Sequence, residues 1–458
     1  MNLSPKRWQA LYFLVAGAFL SPLDYFIVNM ALPSIKKAFN ASDHQLQMVV
    51  AIYGLSYAAL VVCGGRLGDL YGRKKIFVIG LYIFLFSSMA CAFSPSITWL
   101  IVSRLFQGIG ASLLAPQVLA SIKVLFRAEE QPKAVSLFSS VFGLASVAGQ
   151  LIGGILLSMQ WGHFSWELVF LVNVPVAVIC ITGIHFTMDN HQDRKQSGID
   201  YTGSLLLILS LLMIICPLIF GQKFQWAWWI FVSILSGIIL LIIFLKYEIH
   251  LQQKGQPILI NPALLQYRPF ALSLCIIFFY NFTSGLFICY PYYLQQFLHQ
   301  TSLQTGLAIF PYGLAFFLGP FLVSKTKLKS YTIIDIGLGL LIFGFISSAL
   351  AFYFQQKPSF LTYITLFSAG LGHGTIMPVM MKTAISLVSK DKAGQASGLV
   401  SIAIQIGSVT GGAIIGTLFF NIVGILGFPA AFATAMAMIG SFQIIGTGIN
   451  SRLKKYIQ

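Results

Sequence analysis

Fourteen times along this chain an apolar run of about twenty residues is closed by a short polar turn. The runs lie near residues 10–34, 46–66, 76–94, 98–122, 134–158, 166–187, 201–221, 226–246, 269–293, 302–324, 331–353, 358–381, 394–420 and 425–451. At a rise of about 1.5 Å per residue, each is long enough for one helix to cross a bilayer. Only 9% of the 458 residues are charged and 57% are hydrophobic, whereas a soluble domain carries roughly a quarter charged residues. The chain therefore reads as an all-α integral membrane protein with 14 transmembrane helices. The first run, Leu11 to Pro33, is long enough to span and reads as a retained helix, not a cleaved leader.

A formal charge of +16 would suit nucleic acid in a soluble protein, but no extramembrane domain is available to build such a site. Position gives the charge its meaning. Of the 28 Lys and Arg, all but Lys36, Lys37, Lys223, Lys357 and the intraspan Arg104 fall in turns on one side. Basic residues beside short loops stay on the cytoplasmic side, so that side is assigned as cytoplasm, and an even number of spans places both termini there. The expected location is the cell membrane, or the inner membrane of a Gram-negative cell, with lipid as a partner. All seven Trp fall at expected span ends, as an interfacial belt requires. The six Cys are scattered without metal-ligand spacing and read as packing residues, so no metal and no cofactor is expected.

Between the second and third runs lies a dense charged turn, Gly65-Arg66-Leu67-Gly68-Asp69-Leu70-Tyr71-Gly72-Arg73-Lys74-Lys75. Its glycines are expected to let two helices turn back tightly. The stretch resembles the G-x-L-x-D-x-x-G-R-(R/K) signature of major facilitator superfamily transporters. The resemblance implies a conformational latch made of Gly65, Asp69, Gly72 and Arg73. Asp69 is expected near the amino end of span 13, at Lys392 to Gly398, whose free N–H groups attract a carboxylate.

Two longer polar stretches, Asp189 to Gly198 and a partly amphipathic Glu248 to Tyr267, read as linkers on either side of spans 7 and 8. This organisation resembles the fourteen-span drug:proton antiporter branch of the superfamily (EmrB/QacA-like), and Asp200-Tyr201-Thr202-Gly203 is similar to its D-x-x-G at the start of span 7. The resemblance implies a major facilitator fold of two six-helix bundles plus two central helices. Residues 1–188 would form the N-terminal bundle, 189–268 the linker with spans 7 and 8, and 269–458 the C-terminal bundle. A weak repeat agrees: Gly319 to Lys329 occupies between spans 10 and 11 the place that Gly65 to Lys75 occupies between spans 2 and 3.

Asp24 stands well inside span 1, where an ionised carboxylate is costly and is tolerated mainly facing a polar cavity. Its surroundings, Leu23 to Pro33, resemble the branch's L-D-x-T-(I/V)-V-N-V-A-L-P with Phe26 in place of Thr, and the resemblance implies a proton-coupling carboxylate. Arg104, in Arg104-Leu105-Phe106-Gln107-Gly108-Ile109-Gly110, resembles the superfamily's R-x-x-Q-G-x-G in span 4. Counted along opposed helices, Asp24 lies about 15 Å and Arg104 about 9 Å from the outer ends, within pairing distance of one another. Of the twelve acids, Asp24 alone is placed at depth, Glu248 being read as a loop residue and Asp200 as lying near a span end.

Ala145, Gly149 and Gly153 form a small-residue stripe on span 5 that allows close helix contact. With Gly154 they resemble the antiporter motif G-P-x-x-G-G, in which Gln150 here replaces Pro. A second departure is Trp166-Glu167-Leu168, where the branch has W-R-W. Asn29, Gln107, Gln150, Tyr290 and His373 complete the expected substrate cavity. The chain contains no phosphate-binding G-x-x-x-x-G-K-(S/T), no H-E-x-x-H and no clustered nucleophile, which disfavours an ATPase or an intramembrane enzyme. The expected activity is proton-driven export of lipophilic, neutral or monocationic small molecules by alternating access. Three readings stay open: multidrug efflux, export of one endogenous metabolite such as a siderophore, and uptake symport. A periplasmic adaptor is an unknown.

Overall fold

The computed structural model describes residues 6–127, 129–158, 166–188, 200–221, 224–256, 258–388 and 393–457. The expected linker at Asp189 to Gly198 lies outside the described residues. Fourteen described helices are long and apolar enough to cross a membrane. Spans 1 to 7 are Arg7–Leu32, Met48–Tyr71, Arg73–Ala92, Ile97–Leu125, Gln131–Leu157, Leu168–Thr187 and Tyr201–Leu218. Spans 8 to 14 are Trp228–Gln253, Arg268–Phe297, Leu303–Lys325, Ser330–Gln355, Phe360–Ser386, Ala396–Leu426 and Phe428–Tyr456.

The helices gather into two compact units. The first contains Met1–Ala134, Ala148–Leu264 and Val388–Ile402, so spans 7 and 8 belong to it together with the opening turns of span 13. The second contains Val135–Val147, Leu265–Leu387 and Ala403–Gln458. Three described spans are interrupted, span 6 only briefly, at Val172 between Leu168–Leu171 and Asn173–Thr187. Span 4 breaks after Ser112 and restarts at Ala115 with Pro116 in its first turn, where a missing N–H costs nothing. Span 9 passes through a 3-10 turn at Asn281–Gly285 and a π turn at Tyr293–Phe297.

Helix ends follow local chemistry more than hydropathy. Span 1's helix continues past its apolar run to Phe39, with Lys36 and Lys37 at its negative end and Asn40 in the left-handed region as cap. Span 8's helix runs to Gln253 and stops where Gly255 takes φ +65°. Glu248 is therefore not a loop residue: it lies within the helix and is fully buried. Hydropathy fell at Lys246, but the following Lys, Glu, Leu and Gln are good helix formers with no breaker before Gly255.

The eleven-residue charged turn is also mostly helix. Span 2's helix passes through Gly65 and Gly68 to Tyr71, span 3 begins at Arg73, and Gly72 alone makes the turn. Its φ of +97° is a backbone conformation that only glycine adopts without strain. Gly68, and Gly64 just before the turn, serve packing instead. A side chain at Gly64 would lie 2.7 Å from the Ser112 carbonyl, and one at Gly68 would overlap the Gln117 carboxamide, so both admit span 4. Trp166 sits at a span end as expected, yet its ring is buried between Phe39 and Phe170.

Candidate functional site

The first unit encloses a polar cluster of charged and amide side chains. Asp24, Arg104, Gln107 and Asn173 are all fully buried. Arg104 Nη1 donates to Asp24 Oδ2, forming an ion pair. Gln107 Nε2 and Asn173 Nδ2 each donate to Asp24 Oδ1 at 2.9 Å. Three donors from spans 4 and 6 thus converge on one carboxylate. Arg104 is held in turn by the Gln107 carboxamide oxygen at 2.7 Å and, through Nε, by the Val49 carbonyl at 3.1 Å. Its guanidinium lies over the Tyr53 ring, 4.2 Å from the centroid, and Tyr53 bonds back to Ser21 on span 1. Ser88 of span 3 accepts from Gln107 at 2.8 Å.

Helix geometry explains the residue types. Arg104 and Gln107 are three apart and share a face, so both reach Asp24. Gly108 and Gly110 occupy the other faces of span 4. A side chain at Gly108 would run into the Tyr53 carbonyl and the Ser56 hydroxyl of span 2. One at Gly110 would lie 2.7 Å from the Phe84 amide nitrogen of span 3. The glycines bring three backbones close enough for the Arg and Gln to span the gap. On the opposite side, Gly149 and Gly153 accept span 1: added side chains would meet Phe26 Cβ at 2.6 Å and Ile27 Cγ1 at 3.0 Å. Gly154 is buried beside them.

Asp24 does not line an open cavity in this structure; it is locked into a buried network. Of the five residues expected around a substrate, Asn29, Gln107 and Gln150 belong to the first unit and Tyr290 and His373 to the second. Gln107 belongs to the Asp24 network, and Asn29 donates to the Tyr25 carbonyl of its own helix at 2.7 Å. Gln150 is buried with no partner for its Oε1. In the second unit, Tyr290 is buried in an aromatic cluster with Phe352 and Phe432. His373 is buried against the Phe316 ring at 4.1 Å and pairs through Nδ1 with the Tyr312 hydroxyl. A cavity of about 350 Å³ in this unit, lined by Gln300, Gln304, Leu307, Ala308, Phe310, Pro311 and Tyr363, includes none of the five.

Sequence reasoning missed Asn173, Ser88 and Tyr53 as members of the network. Asn173 carried a signal, being an amide inside an apolar run. Ser88 and Tyr53 carried none, because both residue types are common in spans. The latch residues lie close together: Arg73 Nη2 is 3.4 Å from Asp69 Oδ1, and Arg73 Nη1 donates to the Ala120 carbonyl of span 4 at 2.6 Å. Lys392, at the proposed docking end of span 13, lies outside the described residues. Gly398, two turns along, faces Val62 of span 2, where an added side chain would sit 3.4 Å away.

Comparison with known proteins agrees with this architecture. The chain is 29% identical over 424 residues to the "Probable actinorhodin transporter" of Streptomyces coelicolor, covering 92% of this chain and 73% of that one. It is 27% identical over 410 residues to the "Multidrug resistance protein Stp" of Mycobacterium tuberculosis, covering 88% and 74%. Among solved structures, the proton:xylose symporter XylE superposes with a TM-score of 0.70 at 15% identity, covering 99% of this chain and 96% of that one, a likeness of fold. The Major Facilitator Superfamily model matches residues 14–412 and, in a second match, 272–449. A chain with fourteen membrane-length helices, a buried Asp24–Arg104 pair and this match along most of its length belongs to the Major Facilitator Superfamily.

Proposed function

We propose that this protein is a proton-coupled exporter of lipophilic, neutral or monocationic small molecules, an antiporter of the fourteen-span drug-efflux branch. The Asp24–Arg104 pair carries the reading. A buried ion pair held by hydrogen-bond partners is a two-state element: adding one proton to Asp24 removes its charge, weakens the attraction to Arg104 and turns one of its two acceptor oxygens into a donor facing donors. Arg104 keeps the Gln107 oxygen, the Val49 carbonyl and the Tyr53 ring as partners. The free energy released or absorbed at Asp24 can then bias one helix arrangement over another, which is what coupling requires. Relatives named as an actinorhodin transporter and a multidrug resistance protein support export of small molecules.

In this reading residues 1–188 and 269–458 act as two six-helix bundles that open alternately to either side, with 189–268 as the added central segment. The basic turns face the cytoplasm, as do both termini. Asp69 and Arg73 latch the cytoplasmic side. Gln150, in place of the antiporter motif's Pro, favours uptake symport as the second reading. Everted membrane vesicles with an imposed pH gradient separate the two. Accumulation of lipophilic dyes against an acid interior, absent in Asp24→Asn, is the expected result. Gradient-driven movement of dye out of the same vesicles would indicate symport, and wild-type accumulation by Asp24→Asn would remove Asp24 from coupling.

A further inference from the structure

A pair of carboxyl groups meets at the end of the hairpin formed by spans 7 and 8, on the side of the charged turn. Asp200 caps span 7: its Oδ1 accepts from the Gly203 amide at 2.9 Å. Glu248, fully buried on span 8, binds the following segment: its Oε2 accepts from the amides of Leu259 at 2.9 Å and Ile260 at 3.3 Å. The remaining oxygens, Asp200 Oδ2 and Glu248 Oε1, are both buried and have no donor among the described residues. They converge over Gly203, where an added side chain would collide with both. Each carboxyl group therefore uses one oxygen on backbone amides and presents the other to its counterpart, in a slot that exists because residue 203 lacks a side chain.

We propose that Asp200 and Glu248 form a proton-binding site separate from Asp24, holding one proton between Asp200 Oδ2 and Glu248 Oε1 and thereby fastening the hairpin to the segment that follows it. Two facing carboxylate oxygens are both acceptors, so only a proton turns the contact into a hydrogen bond. Ionisation of both would set like charges against each other in a buried slot. The charges nearby do not remove this need. From span 2, Arg66 lies within electrostatic reach of Glu248 but also of Asp69, so one guanidinium is divided among acids. Cys63 of span 2 bonds the Ser204 hydroxyl next to Gly203 and carries no charge to offset either acid. Lys246 and His250, two residues either side of Glu248 along span 8, project from other faces of that helix. Tyr201 is exposed beside Asp200.

Infrared spectroscopy of the purified full-length protein tests the assignment, since a protonated carboxyl group has its own C=O band that shifts in heavy water. Near neutral pH the band is expected in the wild type and in Asp24→Asn, and is expected to be lost in both Glu248→Gln and Asp200→Asn. Asn remains a good helix cap, so the second variant keeps the start of span 7. Thermal melting is the second measurement. At alkaline pH, where the wild-type pair has lost its proton and repels, Glu248→Gln should melt at a higher temperature than the wild type, and the two should coincide at acidic pH. A band lost in Asp24→Asn, a band that persists in both hairpin variants, or a Glu248→Gln melting difference that does not change with pH would each overturn the proposal.

Discussion

Replacing Asp24 by Asn probes the buried network directly, because the two side chains have nearly the same shape. Arg104, Gln107 and Asn173 all donate to Asp24. An Asn has one acceptor oxygen and one donor NH2 group, so whichever way it turns, one side opposes donor to donor. It also leaves the Arg104 charge, with no solvent exposure, uncompensated. Removing one partner of a buried ion pair costs about 3–5 kcal/mol, which outweighs the roughly 1 kcal/mol recovered from each hydrogen bond that an amide can keep. For a unit of this size, about 2 °C of melting temperature corresponds to 1 kcal/mol, so a fall of about 6–10 °C is expected. The assay is thermal unfolding of detergent-purified protein, followed by gradient-driven transport in vesicles for the folded fraction. The double variant Asp24→Asn/Arg104→Gln removes both charges and should recover at least half of the loss, about 1.5–2.5 kcal/mol. A single variant that melts within about 1 °C of the wild type, or a double variant whose losses simply add, would refute the account of the network.

Asp69→Asn removes the carboxylate partner of Arg73 and should slow turnover by shifting the conformational balance, with substrate affinity little changed; equal two-sided accessibility labelling in mutant and wild type would sink the latch. Gly72→Ala places a side chain at φ +97° and should cost about 1–3 kcal/mol in melting assays, whereas Ala at Gly339, which has open space around it, should be silent. Gly108→Ala must push span 4 off the Tyr53 carbonyl and is expected to abolish transport along with the Asp24–Arg104 pair; full activity would show that the close helix approach is dispensable. Glu130 accepts from Arg7 at 2.7 Å, and this bond, with the nearby Arg127, holds its carboxyl below the ordinary range. The stability it contributes is therefore present above its unfolded value of about 4.3 and is lost as pH falls through the lower folded value, so Glu130→Gln should flatten the melting profile at acidic pH. Rigid dications should be exported more poorly than monocations of the same size, because Asp24 can offset one charge; efficient export of a bis-quaternary compound, independent of pH, would point to other acids as ligands.

Much of this protein is legible in one dimension. Span number follows from the length of apolar runs, because lipid leaves the backbone no partner but its own helix. The meeting of Asp24 with Arg104 follows from counting residues at a fixed rise along opposed helices. Lateral information is a different matter. Which side chains on neighbouring helices meet depends on helix rotation and on how closely backbones approach, and neither is encoded in spacing along one chain. Asn173 and Ser88 join Asp24 and Gln107 from separate spans, and only packing brings them there. The glycines of the charged turn look alike in sequence, yet Gly72 makes the turn while Gly68, like Gly64 just before it, makes room for span 4. Glu248 shows the limit most clearly. Hydropathy placed it outside the membrane helices, but helix propensity carried span 8 past it and the hairpin closed over it. A carboxylate's surroundings belong to the tertiary structure, because burial is decided by neighbours that the sequence holds tens of residues away.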